Sequence, residues 1–468
     1  MSFLKKLFRY SFSIILPYYV YFTFFFYRSF SEDYAHKKII QLKTSYNIKK
    51  FFIDYFIKKF PNYPYFYWER YKITIQHGDS NYLDYLKKYS QVRKSWVHNN
   101  LLQYESIEFV EEKVVAGSFG NIYYLYSLIL ANKLKLRKNK KLILFLQSKV
   151  TNEILFEYFK EYLTIVKDLK TISNTNLIVD KLSCHLGSTI EINEDFLQSP
   201  EAQNIIVQKN EEDKIKLFAL KNNHYQEGIK YLKKKGLTKE SWYVTLHVRE
   251  STYRPEKNEK FRNADIDDYL PAIKEIVDAG GYVFRVGHAG SKKMPKLDGL
   301  IDYANSDDKS ELLDVFLGAT SKFCIATSSG YYIIPSFFSV PILMTNCPQH
   351  AVFFELNSKD LYLPRIFKST NDEKKLKIYD LFQPPFNNLF SDIHYKKYNL
   401  EIIKNSKDDI KLATKEMLDR ILLNKNEQSH LQYKINKKIE QKQKNIKRNL
   451  IPIANICDNF LKKNIDLI

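Results

Sequence analysis

The sequence predicts an α/β protein of two Rossmann-like domains facing across a cleft, preceded by an N-terminal helical segment. Three observations carry this. Short apolar strands alternate with helices from about Phe109 to Val179, and a longer alternation runs from Tyr243 to Thr345. A Lys-rich helix from about Glu212 to Lys235 joins the two blocks. At 468 residues the chain exceeds what one core holds, so two or three domains are the natural division.

Residues 1–33 are expected to be an apolar, membrane-associated segment, spanning or interfacial, with an amphipathic helix buried in the soluble fold as the alternative. Between Arg9 and Arg28 no residue is charged, and Lys5, Lys6 and Arg9 precede the stretch. Its length just reaches the lower limit for spanning a bilayer, while Pro17 and the density of Tyr and Phe suit the headgroup boundary. No small-residue cleavage site follows, which argues against a cleaved signal peptide. Residues 34–104 read as a helical hairpin, with turns at Lys58 to Pro64 and His77 to Ser80. Tyr65, Tyr67, Tyr71, Tyr82, Tyr85 and Tyr89 recur at helical spacing, a pattern similar to one tetratricopeptide unit.

The first α/β domain spans 105–235. A strand is expected over Phe109 to Val115, a turn at Gly117 to Asn121, a helix over Ile122 to Lys135 and a strand over Lys141 to Gln147. A helix over Asn152 to Val166 and a strand over Asn176 to Val179 follow. The second domain spans 236–400. Strands are expected at Tyr243 to Val248, Tyr282 to Val286, near Leu300, at Phe323 to Ala326 and at Ile342 to Thr345. Helices fall between them at Ile266 to Asp278, Lys309 to Ala319 and Tyr331 to Phe338. Residues 401–468 are C-terminal helices: Ser406 to Leu423, a charged solvated helix within Asn424 to Arg448, and Ile451 to Ile468.

Composition narrows the partners. The formal charge is +20, but only twelve of the 73 basic residues are Arg, and Lys, Asn, Ile, Tyr and Phe are abundant together. That pattern reads first as compositional bias, and second as attraction to anionic lipid or phosphate-bearing substrates. The basic residues are spread along the chain with no nucleic-acid motif, so no nucleic acid is expected. Cys184, Cys324, Cys347 and Cys457 are scattered without metal-ligand spacing, which fits a reducing, cytoplasmic setting at the inner face of the plasma membrane.

The chemistry concentrates in loops at strand ends, where open α/β sheets bind ligands. Trp242 to Glu250, W-Y-V-T-L-H-V-R-E, runs from a buried strand into His247, Arg249 and Glu250. An Arg there can clamp a diphosphate bidentately; the alternative is an ion pair with Glu250 or another acid. His247 lies on the same side of the strand as Arg249 by the two-residue period, and contacts substrate or the backbone. Thr327-Ser328-Ser329-Gly330 stands between a strand and a helix, where free N–H groups and hydroxyls favour an anion, though Ser also caps helices. Gly117, Gly120 and Asn121 face the cleft from the first domain, as a ligand turn or simply a tight turn. His288, Asp302 and Tyr303 lie in later loops within reach of a nucleoside or sugar. No Asp-x-Asp pair stands at a strand end, and neither a nucleophile elbow nor a phosphate loop is present, so no metal is expected.

These motifs, in order, resemble a known family. Y-V-T-L-H-V-R-E, R-N-A-D-I-D-D-Y-L-P-A-I, G-G-Y-V-F-R-V-G, I-D-Y-A-N-S-D-D-K-S, D-V-F-L, T-S-S-G and V-P-I cover Ser241 to Asn346 and are similar to bacterial glycosyltransferases found with surface-polysaccharide genes. The His-x-Arg element and the Ser-rich helix start also resemble the donor half of GT-B fucosyltransferases. The resemblance implies a GT-B enzyme with a nucleotide-sugar as co-substrate, no cofactor, no obligatory metal, and a glycan or lipid-linked acceptor. It implies that Arg249 neutralises the donor diphosphate, that Ser328, Ser329 and the Gly330 N–H hold its phosphates, and that Gly117, Gly120 and Asn121 lie on the acceptor side. Two departures stand out. Glu250-Ser251-Thr252 occupy the place of a second Arg and an Asp, and Asn121 cannot act as a base, which leaves Glu250 as the candidate. A non-catalytic nucleotide-sugar or glycan binding module, or a membrane-associated scaffold of the same fold, is the alternative.

Overall fold

The computed structural model describes residues 31–79, 81–101, 106–168, 189–252, 259–446 and 448–468. The apolar stretch 10–27, Cys184 and the strand expected at 176–179 lie outside them. The chain divides into two compact units, Met1–Glu105 with Glu194–Phe196, and Ser106–Asn193 with Leu197–Ile468. Among the described residues no helix is long and apolar enough to cross a membrane.

The first unit contains α1 (Glu32–Gln41), α2 (Tyr46–Lys59), α3 (Pro64–His77) and α4 (Tyr82–Leu101). Ser31 caps α1 by accepting the Tyr34 amide, and Gly78 ends α3 at φ 74°, a left-handed conformation that favours glycine. The helically spaced aromatics become a core: Trp68 lies 5.3 Å from Tyr89 and 5.0 Å from Tyr71, centroid to centroid. Phe196 closes this core, exchanging backbone-to-hydroxyl hydrogen bonds with Ser90 on α4.

The second unit holds two parallel sheets. The smaller is β1 (Ile107–Val110), β2 (Lys141–Phe145) and β3 (Leu163–Val166), in that order. Around it lie α5 (Lys113–Ala116), α6 (Phe119–Lys133) and α7 (Glu153–Phe156). Two elements of this half differ from the sequence expectation. The first strand stops at Val110, because Glu112 accepts the amides of Gln147 and Ser148 and the chain coils into α5. The helix expected over 152–166 is one turn, followed by a 3₁₀ turn at Lys160–Tyr162, and its last four residues are strand β3. Leu163, Thr164, Ile165 and Val166, three of them β-branched, pair with β2 in parallel register, so packing on a pleated surface outweighs the helical pattern. Helix α6 is apolar nearly all round, and correspondingly most of its residues are buried.

A short hairpin pair, β4 (Thr189–Ile192) and β5 (Asp195–Gln198), leads to α8 (Ser199–Lys209) and α9 (Asn222–Lys234). The Lys-rich helix therefore begins at Asn222 rather than 212. Before it, Leu217 and Phe218 lie outside any helix and are buried, with the Phe218 ring among Tyr126, Phe159 and Phe337.

The larger sheet has seven parallel strands. They are β6 (Tyr243–His247), β7 (Tyr282–Val286), β8 (Leu300–Ile301), β9 (Cys324–Ala326), β10 (Ile342–Cys347), β11 (Leu361–Pro364) and β14 (Asn455–Ile456). Helices α10 (Leu270–Asp278), α11 (Glu311–Thr320) and α12 (Ile333–Phe337) connect its strands. The spatial order is β14-β11-β10-β9-β6-β7-β8. From β6 the chain builds outward through β7 and β8, then returns to the other side of β6 and builds through β9, β10 and β11. That is the Rossmann order, and its topological switch point lies between β6 and β9.

Beyond β11, β12 (Ile366–Ser369) pairs antiparallel with β13 (Leu400–Ile403), and α13 (Asp392–Lys397) lies between them in the chain. Helix α14 (Lys407–Leu422) packs on α10 and on β11. The charged segment is helix α15 (His430–Asn445). It buries a stripe of Ile435, Ile439 and Gln443, so it is solvated on one side only. The final segment is not one helix: Asn455-Ile456 adds edge strand β14 beside Leu361-Tyr362 before α16 (Asp458–Lys463). Strand addition satisfies the open edge of β11, which periodicity within the segment does not reveal.

Candidate functional site

At the switch point the loops following β6 and β9 are tied together by their own hydrogen bonds. The Thr327 amide donates to the His247 carbonyl at 3.1 Å, and the Arg249 amide donates to Thr327 Oγ1 at 2.9 Å. The strand ends that sequence placed at a crevice are thus neighbours, as Rossmann topology requires.

Side-chain partners differ from the sequence expectation in several places. The Arg249 guanidinium is 2% exposed and donates to Asn263, to the Glu259 carboxylate at 3.1 Å and to the Glu259 carbonyl at 3.3 Å. These donors are engaged by protein, the ion-pair alternative the sequence left open, with Glu259 rather than Glu250 as the acid. Arg262, 24% exposed, lies beside the same loop: its Nε donates to the Ser328 carbonyl at 2.9 Å and its Nη1 to Glu259 at 3.0 Å. Arg365, immediately after β11, is buried and grips the 261–263 segment through the carbonyls of Phe261 (2.5 Å) and Asn263 (2.8 Å). Its third partner is the Asn346 side chain at 3.2 Å.

The hydroxyls are similarly engaged. Thr327 is fully buried on Arg249, and Ser328 donates to Gln349 Oε1 at 2.7 Å. Ser329 is extended and makes no capping bond; it opens a single 3₁₀ turn, Gly330–Tyr332, before the five-residue α12. The expected helix at 331–338 is therefore short, and its dipole adds little to anion binding.

On the other flank Arg285 bonds Glu250 and, at 3.2 Å, Asp302. Burial raises the Glu250 carboxyl above the ordinary glutamate range even though Arg285 pulls it down. Asp302 also accepts the Met294 amide and the Asn305 side chain. Tyr303 is fully buried and exchanges two bonds with the backbone of Ser310, a structural role. His288 lies 3.0 Å from the Ser291 hydroxyl, and burial lowers its pKa. His247 stacks on Tyr331, with centroids 5.4 Å apart. Burial, then the charges of Arg285 and His288, push its pKa down to about 3, so the ring is neutral and a weak base. Its Nδ1 is buried without a hydrogen-bond partner among the described residues.

The glycines serve close approach. A Cβ on Gly330 would stand 2.6 Å from the Gly120 amide nitrogen and 3.0 Å from the Phe119 Cβ. The glycine turn of the first α/β half thus touches the switch-point loop of the second. Gly117 is held against Lys113, and Asn121 Nδ2 donates to the Lys113 carbonyl at 3.1 Å. Gly330→Ala is expected to push the two backbones apart and cost about 1–3 kcal/mol of stability, read as a lowered denaturation midpoint. Gly120→Ala, whose Cβ would meet only the Gly330 Cα at 3.7 Å, is expected to be nearly neutral in packing. Equal stability of the two variants would contradict this contact.

A cavity of about 60 Å³ is lined by Tyr123 and Tyr126 of α6, Gln203 of α8, and Tyr332, Glu355 and Asp360. It has room for a few waters, not for a nucleotide. Among the described residues no three His, Cys, Asp or Glu side chains converge as metal ligands.

Sequence reasoning missed Glu259, Arg262, Asn263, Gln349 and Arg365. Arg365 was detectable, since it follows a strand's carboxyl end as Arg249 does, and Arg262-Asn263 fall inside the R-N-A-D run.

No family model and no curated protein matches this chain. Solved structures similar to it include glycosyltransferases and a UDP-GlcNAc 2-epimerase. The Escherichia coli ADP-heptose lipopolysaccharide heptosyltransferase II shows 11% identity and a TM-score of 0.35, over 55% of this chain and 90% of that one. A family 9 glycosyl transferase from Veillonella parvula shows 10% identity and a TM-score of 0.36, over 56% and 86%. The E. coli heptosyltransferase WaaC with ADP shows 7% identity and a TM-score of 0.32, over 68% and 99%.

Proposed function

We propose that this chain is a GT-B glycosyltransferase. It transfers a sugar from a nucleotide-sugar bound at the β6/β9 switch point to a glycan or lipid-linked acceptor of a cell-surface polysaccharide. The observation that carries this is the placement of four arginines, Arg249, Arg262, Arg285 and Arg365, around the carboxyl ends of strands at a Rossmann switch point. Rossmann crevices take nucleotides, and the motif order from Ser241 to Asn346 adds the glycosyltransferase resemblance.

Within this proposal Arg262 contacts the donor diphosphate, while Arg249 and Arg365 hold the 259–263 segment and the T-S-S-G loop in place. The fixed guanidinium charge stabilises the departing nucleoside diphosphate, the task a divalent cation performs elsewhere. His247 Nδ1 supplies a hydrogen bond to the donor. Glu250 is the proton acceptor, because burial moves its carboxyl in the direction a general base needs and Asn121 cannot take a proton.

Thermal melts against a panel of nucleoside diphosphates and nucleotide-sugars, all in EDTA, test the proposal. One diphosphate series is expected to raise the melting temperature, because a ligand at about 100 times its Kd adds about 2.7 kcal/mol to the folded state. No shift with any member would overturn the donor site. Binding without turnover on any offered acceptor would support a non-catalytic binding module instead.

A further inference from the structure

The lysine-rich outer face of α1 and α2 makes a second kind of site, independent of the donor crevice. On α2 the exposed positions are Asn47, Phe51, Tyr55, Lys58 and Lys59, a four-residue repeat that draws one continuous stripe along the helix. Its inner face is committed to the core through Phe52, Ile53 and Phe56. Phe51 is 58% exposed and Tyr55 38%, although a soluble helix ordinarily turns such rings inward. The neighbouring α1 exposes Tyr34 at 49% and Ile40 at 53%, with Lys37 and Lys38 exposed beside them.

Charge identifies the partner. From Glu32 to Lys59 there are seven lysines against three carboxylates, Glu32 and Asp33 at the start of α1 and Asp54 on α2. Asp54 is already engaged by Lys50 and Arg70, each at 2.8 Å. The remaining lysines carry long apolar stems, and those of Lys38 and Lys59 already place their ammonium groups over the rings of Tyr34 and Phe60. Exposed aromatics flanked by flexible cations, with the acids confined to the first turn of α1 and to the paired Asp54, match the boundary of an anionic bilayer. There the rings sit at headgroup depth while the ammonium groups meet lipid phosphates. A protein partner of matching shape would call for hydrogen-bonding groups along the stripe, and Asn47 is the one amide it carries.

We propose that the α1–α2 face, centred on Phe51 and Tyr55, docks on an anionic lipid surface. The site is interfacial: rings enter the headgroup layer and the helices stay parallel to the membrane.

Tryptophan fluorescence of the full-length protein with vesicles tests it. Phe51→Trp adds a reporter to a surface position at no cost to the core, and the unsubstituted chain supplies the background from Trp68, Trp96 and Trp242. With vesicles of phosphatidylglycerol and brominated phosphatidylcholine, the added emission is expected to shift to the blue and be quenched. With pure phosphatidylcholine it is expected to change little. A Tyr225→Trp reporter, at a position 43% exposed in the second unit, is expected to stay unquenched. Lys58→Glu with Lys59→Glu is expected to lower the partition coefficient about tenfold or more at 0.1 M salt. If the protein sediments with the vesicles while the Phe51→Trp emission is unaffected, lipid contact lies elsewhere in the chain and the proposal fails. Absence of any binding to anionic vesicles also overturns it. Nucleoside-diphosphate binding is measured separately, so either result leaves the donor proposal standing or falling on its own.

Discussion

Arg262→Ala is expected to weaken nucleoside-diphosphate binding by roughly 10- to 100-fold, the worth of one charge-assisted contact, while costing no more than about 1 kcal/mol of stability. Arg262 is the arginine of the switch-point cluster that keeps exposed surface beside the T-S-S-G loop, and its protein partners are a backbone carbonyl and a carboxylate shared with Arg249. Arg249→Ala is expected to behave differently. Its guanidinium is buried on Glu259 and Asn263, so removal leaves Asn263 without that donor and Glu259 with Arg262, and costs about 2–3 kcal/mol, below a fully buried pair because Glu259 is partly solvated and keeps a cation. Binding should be lost there together with the shape of the loop. Arg262→Lys should recover part of the affinity, since it keeps the charge but not the planar fork. Calorimetric titration of each variant, paired with denaturant melts, separates these effects. Wild-type affinity in Arg262→Ala would remove this residue from the donor site.

Relative to Glu355→Gln, the wild-type protein is expected to lose stability as pH rises from about 4.5 to 8. Glu355 faces the small cavity between α6 and α12, where burial pushes its pKa up to about 8, with only a modest opposing effect from a Tyr332 hydrogen bond. The folded state therefore holds a proton that the unfolded chain releases near pH 4.5. Its contribution is complete below that value and is lost on ionisation, on the order of 4 kcal/mol by pH 8. Asp360, raised to about 6 by burial, adds a smaller loss of the same sign between about pH 4 and 6. His247 and His350 act oppositely. Burial depresses both to about 3, so the stability they contribute is complete above pH 6.5 and is lost as pH falls toward 3. Both histidines and Asp360 are common to wild type and Glu355→Gln, so they cancel in the difference. Urea unfolding at half-unit steps from pH 5 to 8.5 measures it, and parallel curves for the two proteins would refute the assignment of Glu355.

Much of the second α/β half was legible because its signals are local. Val244, Leu246, Val283 and Phe284 are fully buried strand residues that read as strand from their own neighbours. The paired glycines Gly120 and Gly330 were visible as turns, although their meeting was not. The first half was read less well. Leu163 to Val166 carries a helix-compatible apolar pattern, and only the adjacent β2 edge makes it a strand. Asn455-Ile456 is likewise too short to announce itself, and becomes a strand because Leu361-Tyr362 offers unpaired backbone.

The sequence by itself determined the α/β class, the alternation of elements and the two strand ends, His247 to Glu250 and Thr327 to Gly330, that meet at one crevice. Local periodicity and turn chemistry decide those features within a dozen residues. Tertiary structure alone decided which cations are engaged and which stay exposed. Arg249 is committed to Glu259 and Asn263, Arg365 reaches back about a hundred residues to Phe261 and Asn263, and Arg262 keeps its exposed surface. Hydrogen-bond partners and burial arise from segments distant in the chain. A charge at a strand end becomes a ligand contact or a structural brace according to what the fold packs against it.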